Sequence, residues 1–179
     1  MAMSVNLPHR AARSPLAAAL ALGALAGLAA APASAAPVVL GSKIGNDMSR
    51  CAAGKGPAVR LDVTGLKSSA GNLFVRTYYA RSSDWLKSRR YIHRIEVKPR
   101  QGTTTVCIPL PAAGDYAITV QHDVNGNRDT DFSTDGAGVS NNVKFGSFLG
   151  VLPRPPGVDK ARFTAGPGVT RMAIAVQYR

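Results

Sequence analysis

The chain has 179 residues, with 22 Lys and Arg against 10 Asp and Glu, for a formal net charge of +12. That length holds about one domain. Its 2 cysteines and 3 histidines are not clustered, which excludes a zinc site of the usual Cys/His spacing.

The first 35 residues differ from all that follow. Arg10 and Arg13 give a positive start, Leu16 to Ala31 contains only Ala, Leu and Gly, and Ala33-Ser34-Ala35 is an A-x-A site. Charge, apolar stretch and small residues in that order predict a cleavable signal peptide over 1–35, cut near Ala35/Ala36. The apolar stretch falls short of the roughly 20 residues that a bilayer span needs. No later stretch is apolar enough to span, so the mature chain is expected to lack a transmembrane segment and to be periplasmic or secreted. Cys51 and Cys107 both lie in the mature part, and an even count in an exported chain reads as one disulfide. Two free buried thiols are the other reading.

Residues 36–56 are rich in Gly and Ala and read as an extended leader held mainly by Cys51. Alternation of period two then begins. Val59, Leu61 and Val63 alternate with Arg60 and Asp62, and Leu73, Val75 and Thr77 oppose Phe74, Arg76 and Tyr78. Ser82 to Lys87 fits one helical turn, with N-cap residues ahead of an apolar pair. Tyr91 to Val97, Thr103 to Ile108 and Asp115 to His122 read as further strands, and Asp123 to Asn142 as a long polar loop. The region from Val143 to Gly157 has no clear pattern, Val158 to Thr164 reads as a short strand, and Val169 to Tyr178 as the last strand. About seven short strands with tight turns predict an all-β domain over 57–179, a single antiparallel β-sandwich. A closed barrel is the alternative.

Three motifs occur in order: Gly65-Leu66-Lys67-Ser68-Ser69-Ala70-Gly71, His122-Asp123-Val124-Asn125-Gly126-Asn127, and Gly138-Val139-Ser140-Asn141-Asn142. With Gly114, Tyr116 and Ala117 ahead of the second, the chain from Val59 to Tyr178 resembles the secreted bacterial family named domain of unknown function 2141. The resemblance implies an exported immunoglobulin-like or transthyretin-like sandwich and assigns no activity. Members of that family commonly have Gly after the second motif, where this chain has Arg128.

Within that motif, Asp123, Asn125, Asn127, Asp129 and Asp131 place oxygen-bearing side chains at every second position, the donor type that calcium takes. An EF-hand is excluded, because Arg128 stands where its turn glycine belongs and Thr134 where its bidentate Glu belongs. Two readings stand: a calcium loop within a β-fold, or a turn whose Asx side chains bond their own backbone.

The stretch from Arg76 to Arg100 interleaves basic and aromatic residues. Arg89, Arg90, Arg94, Trp85 and Tyr91 are its candidate ligand-binding residues. In an exported protein such a patch points away from nucleic acid and toward an anionic envelope component: lipopolysaccharide, an acidic glycan or a lipid head group. A solvated strand face is the other reading. Catalysis has little support, since there is no G-x-S-x-G elbow and His93 is the one histidine of the mature part besides His122. The sequence thus predicts a non-catalytic envelope-binding or accessory module with calcium as its candidate cofactor. The alternatives are a purely structural module and a metal-dependent hydrolase using His122, Asp123 and Asp129.

Overall fold

A computed structural model describes residues 37–131, 133–148 and 152–179, together with Met1. The predicted signal segment and its cleavage site otherwise lie outside the described residues. The strands are β1 (Ser42–Ile44), β2 (Ala58–Leu66), β3 (Asn72–Tyr79), β4 (His93–Val97), β5 (Gly102–Pro109), β6 (Gly114–Asp123) and β7 (Gly136–Val139). They continue with β8 (Gly146–Phe148), β9 (Leu152–Arg154), β10 (Phe163–Ala165) and β11 (Val169–Ala175). A larger sheet runs β1-β4-β3-β6-β10, a smaller one runs β11-β2-β5, and β8 and β9 form a separate hairpin. The outer edge of β6 is covered by two short strands end to end, β10 opposite Gly114–Tyr116 and β7 opposite Thr119–His122.

Alternation in the sequence places the core. Val59, Leu61 and Val63 of β2 and Val106 and Ile108 of β5 meet Leu73, Val75, Ile95, Ile118 and Val120 of the larger sheet, all buried. Each such side chain stabilises the fold by about 1.5–3 kcal/mol relative to its exposed state. The expected all-β sandwich is present, with one correction to its strand directions. β1 pairs parallel to β4, and β11 pairs parallel to β2, so both sheets are mixed. Alternation fixes which face a residue takes and says nothing of direction; the parallel strands arrive by long connections instead of hairpins. Likewise the stretch expected as a strand at 158–164 begins with one helical turn, α1 (Val158–Ala161), before β10.

Cys51 and Cys107 form the disulfide, with Cα atoms 5.8 Å apart, tying the 3-10 turn Met48–Cys51 to β5. The segment ahead of it also supplies β1. Two asparagines finish the edges of the smaller sheet. Asn46 donates to the Thr105 carbonyl at 3.2 Å and accepts from the Cys107 amide at 2.9 Å, along the free edge of β5. Asn142 donates to the Ala173 carbonyl at 3.1 Å and accepts from the Ala175 amide at 2.7 Å, doing the same for β11. Each side-chain amide stands in for the peptide group of a missing neighbour strand.

Candidate functional site

The outer face of the larger sheet, the side away from the core, carries Phe74, Arg76 and Tyr78 from β3, Arg94 and Glu96 from β4, and Ala117, Thr119 and Gln121 from β6. Part of this face is roofed by a second apolar cluster of Tyr78, Trp85, Tyr91, Ala117, Val139, Val158 and Ala161. Next to the roofed part lies an open groove of about 530 Å³. Its floor is Arg76, Arg94, Thr119 and Gln121; its rim is Lys43, Lys87 and Arg89. Among the described residues no Asp or Glu lines it.

Two loops wall the groove. The first, from Arg81 to Arg90, is clamped by Asp84, which is fully buried. Asp84 accepts from Arg81 and from Arg90, whose Nε lies 2.7 Å from Oδ1. Burial alone would raise the Asp84 carboxyl, but hydrogen bonds and positive charge from Arg81 and Arg90 hold it below its ordinary value. In this loop Leu86 (φ 59°) and Arg89 (φ 56°) take the left-handed conformation that costs a side-chain-bearing residue roughly 1 kcal/mol or more. Both residues line the groove. Trp85 anchors the loop by donating from its indole to the Pro156 carbonyl at 2.9 Å.

The second wall is the polar loop after β6, represented by Thr130. Gln121 ties it to the floor, its Nε2 donating to the Asp129 carbonyl at 2.6 Å and to Thr130 at 3.2 Å. The loop's own acceptors are turned inward. Asp123 accepts from the amides of Gly126 (2.9 Å) and Arg128 (3.1 Å), Asn125 from Asn127 (3.1 Å), and Asn127 from Asp129 (2.9 Å). Asp131 Oδ2 accepts from the side chains of Asn125 (2.8 Å) and Asn127 (2.7 Å), which hold its carboxyl below its ordinary value. Asp135 accepts from the amides of Val124 (3.0 Å) and Asp131 (3.1 Å). This is the Asx-turn arrangement. Among the described residues no set of three or more His, Cys, Asp or Glu converges as a metal-holding group. Those donors compete with a cation for the carboxylate and amide oxygens. Millimolar calcium added to chelator-treated protein is therefore expected to leave the melting temperature unchanged in a thermal melt; a rise of several degrees would assign the loop to calcium.

Of the predicted ligand-binding residues, the structure brings Arg89, Tyr91 and Arg94 to the groove. Arg90 is committed to Asp84, and Trp85 is buried in the roof. The groove also holds Lys43 from the leader and Thr119 and Gln121 from β6, which the sequence reading did not single out. Strand parity could have found the last two, since they project from β6 on the same side as Arg76 from β3. Lys43 left no such signal.

The charge around the floor is unbalanced. Glu96 is shared by Lys43 (3.8 Å), Arg94 (2.9 Å) and Arg128 (2.5 Å). The guanidiniums of Arg94, Arg128 and Arg76 also lie over the buried Phe74 ring, at 4.3, 5.3 and 5.6 Å from its centre. Such contacts favour a cation by about 0.5–2 kcal/mol each, and Arg76 has no carboxylate partner among the described residues.

A second, larger cleft of about 640 Å³ opens between β1 and the end of β5 beside the disulfide, with His93 on its wall. Its lining is mainly apolar, and its charged members Asp47 and Arg50 pair with each other at 3.8 Å. It has no excess of charge comparable with the groove.

Fold and site together define a disulfide-stapled β-sandwich with a basic groove on one face. Residues 61–173 match the model of a bacterial family described as "Uncharacterized protein conserved in bacteria (DUF2141)", and the chain belongs to that family. No curated protein and no solved structure matches it.

Proposed function

We propose that this protein is an exported, non-catalytic module of the cell envelope that binds an anionic component in the groove on its larger sheet. The observation that carries this reading is the gathering of Lys43, Arg76, Lys87, Arg89 and Arg94 around one concave surface with no carboxylate among its lining residues. A groove lined by one sign of charge concentrates ligands of the other sign. Lipopolysaccharide, acidic glycans and lipid head groups supply that charge outside the cytoplasm, and the signal peptide predicted over 1–35 supports the address. The loop after Asp123 serves here as a wall and not as a ligand-binding element.

The non-catalytic part of the reading rests on how the hydrolase candidates are held. The His122 ring is fully buried, with Nε2 3.0 Å from the Ala70 carbonyl and Nδ1 2.5 Å from the Tyr178 hydroxyl. A carbonyl can only accept, so Nε2 carries the proton and Nδ1 receives the one from Tyr178. Asp123 is likewise consumed by its turn.

Lipopolysaccharide-coated beads test the reading. Retention is expected at low salt and lost as salt rises. At about 1 kcal/mol per rim cation near an anionic surface, Lys87→Ala/Arg89→Ala should weaken it roughly thirtyfold. Retention indifferent to salt and to these substitutions, or none, would leave a purely structural module.

A further inference from the structure

Arg76 is the unusual group in the groove. It sits directly across from Arg94 in the β3–β4 register, and like charges opposite one another on one face of a sheet oppose folding. Arg94 has Glu96 to answer it. The side-chain acceptor facing Arg76 is Oε1 of neutral Gln121, at 3.3 Å from one terminal nitrogen and 3.4 Å from the other, both longer than an ordinary N–H···O bond. Gln121 cannot swing closer, because its Nε2 is fixed to the second wall. Beside them the Thr119 hydroxyl, itself buried, makes no aligned hydrogen bond, although the Tyr78 phenol lies next to it. Burial first, and then the Arg94 charge, push the Arg76 guanidinium below its ordinary range against the weaker opposing pull of Tyr78, Tyr91 and Glu96.

What would satisfy this floor can be read from its donors. Two guanidiniums and a hydroxyl line one space; Arg76 has no carboxylate in ion-pair contact among the described residues, and Arg94 shares Glu96 with Lys43 and Arg128. A carboxylate brings one charge and two oxygens. A phosphate monoester brings close to two charges and three terminal oxygens, and its geometry matches the guanidinium fork. We infer that the groove floor is a subsite for a phosphate monoester dianion, anchored by Arg76 and flanked by Arg94 and Thr119. The inference rests on the anion-binding reading above and narrows it to one chemistry. Rim cations would then attract the anionic body that carries the phosphate, while the floor selects the phosphate itself.

Glucose 1-phosphate followed by thermal melts and calorimetry is the first test, with acetate at equal ionic strength as the control. The sugar phosphate is expected to raise the melting temperature by several degrees and to saturate; acetate is not. In the free protein Arg76→Met should hold or raise the melting temperature, because it removes a half-buried cation that faces Arg94 without an ion-pair partner, and it should abolish the phosphate response. Arg76→Lys, which keeps the charge and loses the fork, should weaken binding at least tenfold. A merely structural Arg76 would behave oppositely: Arg76→Met would lower the free protein's melting temperature and leave the phosphate response intact. Acetate matching the sugar phosphate would also overturn the subsite.

Vesicles containing phosphatidic acid, whose head group is a phosphate monoester, separate the sources. Binding to both probes places the site on a lipid or lipid-linked phosphate, and binding to the soluble probe alone places it on a glycan phosphate. If the intact protein holds lipopolysaccharide but ignores both phosphate probes, the subsite falls and the groove reading stands. If it holds none of the three, both fall.

Discussion

Reduction of the Cys51–Cys107 bridge, or its replacement by a pair of alanines, is expected to lower stability by about 4 kcal/mol on the chain-entropy model. The bond closes a loop with a sequence separation of 56, long enough for its main effect to lie in the unfolded chain, whose freedom it removes. It also has a local role. Cys51, Cys107 and Ala58 form a small buried cluster against which Met48 and Val169 pack, so the bridge pins the leader onto β2, β5 and β11 at one end of the smaller sheet. For a domain of this size the loss corresponds to a fall of roughly 10 to 20 °C in melting temperature. Urea titrations with and without reductant measure it directly. An unchanged midpoint would mean that β1 and Asn46 hold the leader without the covalent tie.

Asp84→Ala is expected to cost about 3 kcal/mol, the lower end of the range for breaking a buried ion pair. The lower end applies because Arg81 and Arg90 are about half exposed and regain water once the carboxylate is gone. The substitution also releases the loop that forms one wall of the groove, so ligand binding should weaken along with stability. The pH dependence has a definite sign. The folded carboxyl lies below its ordinary value of 3.8, so its stabilisation is complete above that pH and is lost as pH falls through the lower, folded value. Wild type should therefore lose stability in strong acid more steeply than Asp84→Asn, whose amide does not titrate. Parallel acid limbs for the two proteins in denaturant melts would show that the clamp contributes nothing through its charge.

Much of the sandwich was legible because its inner face obeys period two: Val59, Leu61, Val63 and Leu73, Val75 each name one side of a strand. The outer face was harder. On β6 the residues from Tyr116 to Asp123 are all buried: Trp85, Tyr91, Val158 and Ala161 roof the outer side at Ala117, and Arg76 and the loop at Asp129–Thr130 close over Gln121. β7 was hidden in a polar loop, since its glycines carry no hydrophobic signal. The structure gives their reason: a side chain at Gly136 would meet Tyr178 and Val176, and one at Gly138 would meet Ile174 and the Ala175 backbone.

The groove was legible only in part. Adjacent Arg89 and Arg90 look equivalent in sequence, and the left-handed turn at Arg89 sends one to the groove and leaves the other with Asp84. Lys43 joins Arg76 and Arg94 through the parallel pairing of β1, which nothing local announces.

The motifs that carry the family resemblance prove to be joints of the fold. Gly71 has φ +73° and lies against the Asp123 carbonyl, so that a side chain there would collide with backbone. His122 joins Ala70 to Tyr178. Ser140 accepts from the Ile118 amide at 3.0 Å and donates to the Ala161 carbonyl, and Asn141 donates to the carbonyls of Lys160 and Arg162. In this chain, therefore, the motifs mark how the sandwich is closed. All five cations of the groove lie outside those motifs.

The asparagines on the rims of the smaller sheet bear on behaviour at high concentration. An open strand edge is a template on which another copy can add its own strand, the first step toward a growing aggregate. Charged side chains deter that step by repulsion, which salt weakens. Asn46 and Asn142 deter it by occupation, since the donor and acceptor that an incoming strand would seek on β5 and β11 are already engaged. The smaller sheet therefore stays finite without depending on ionic strength.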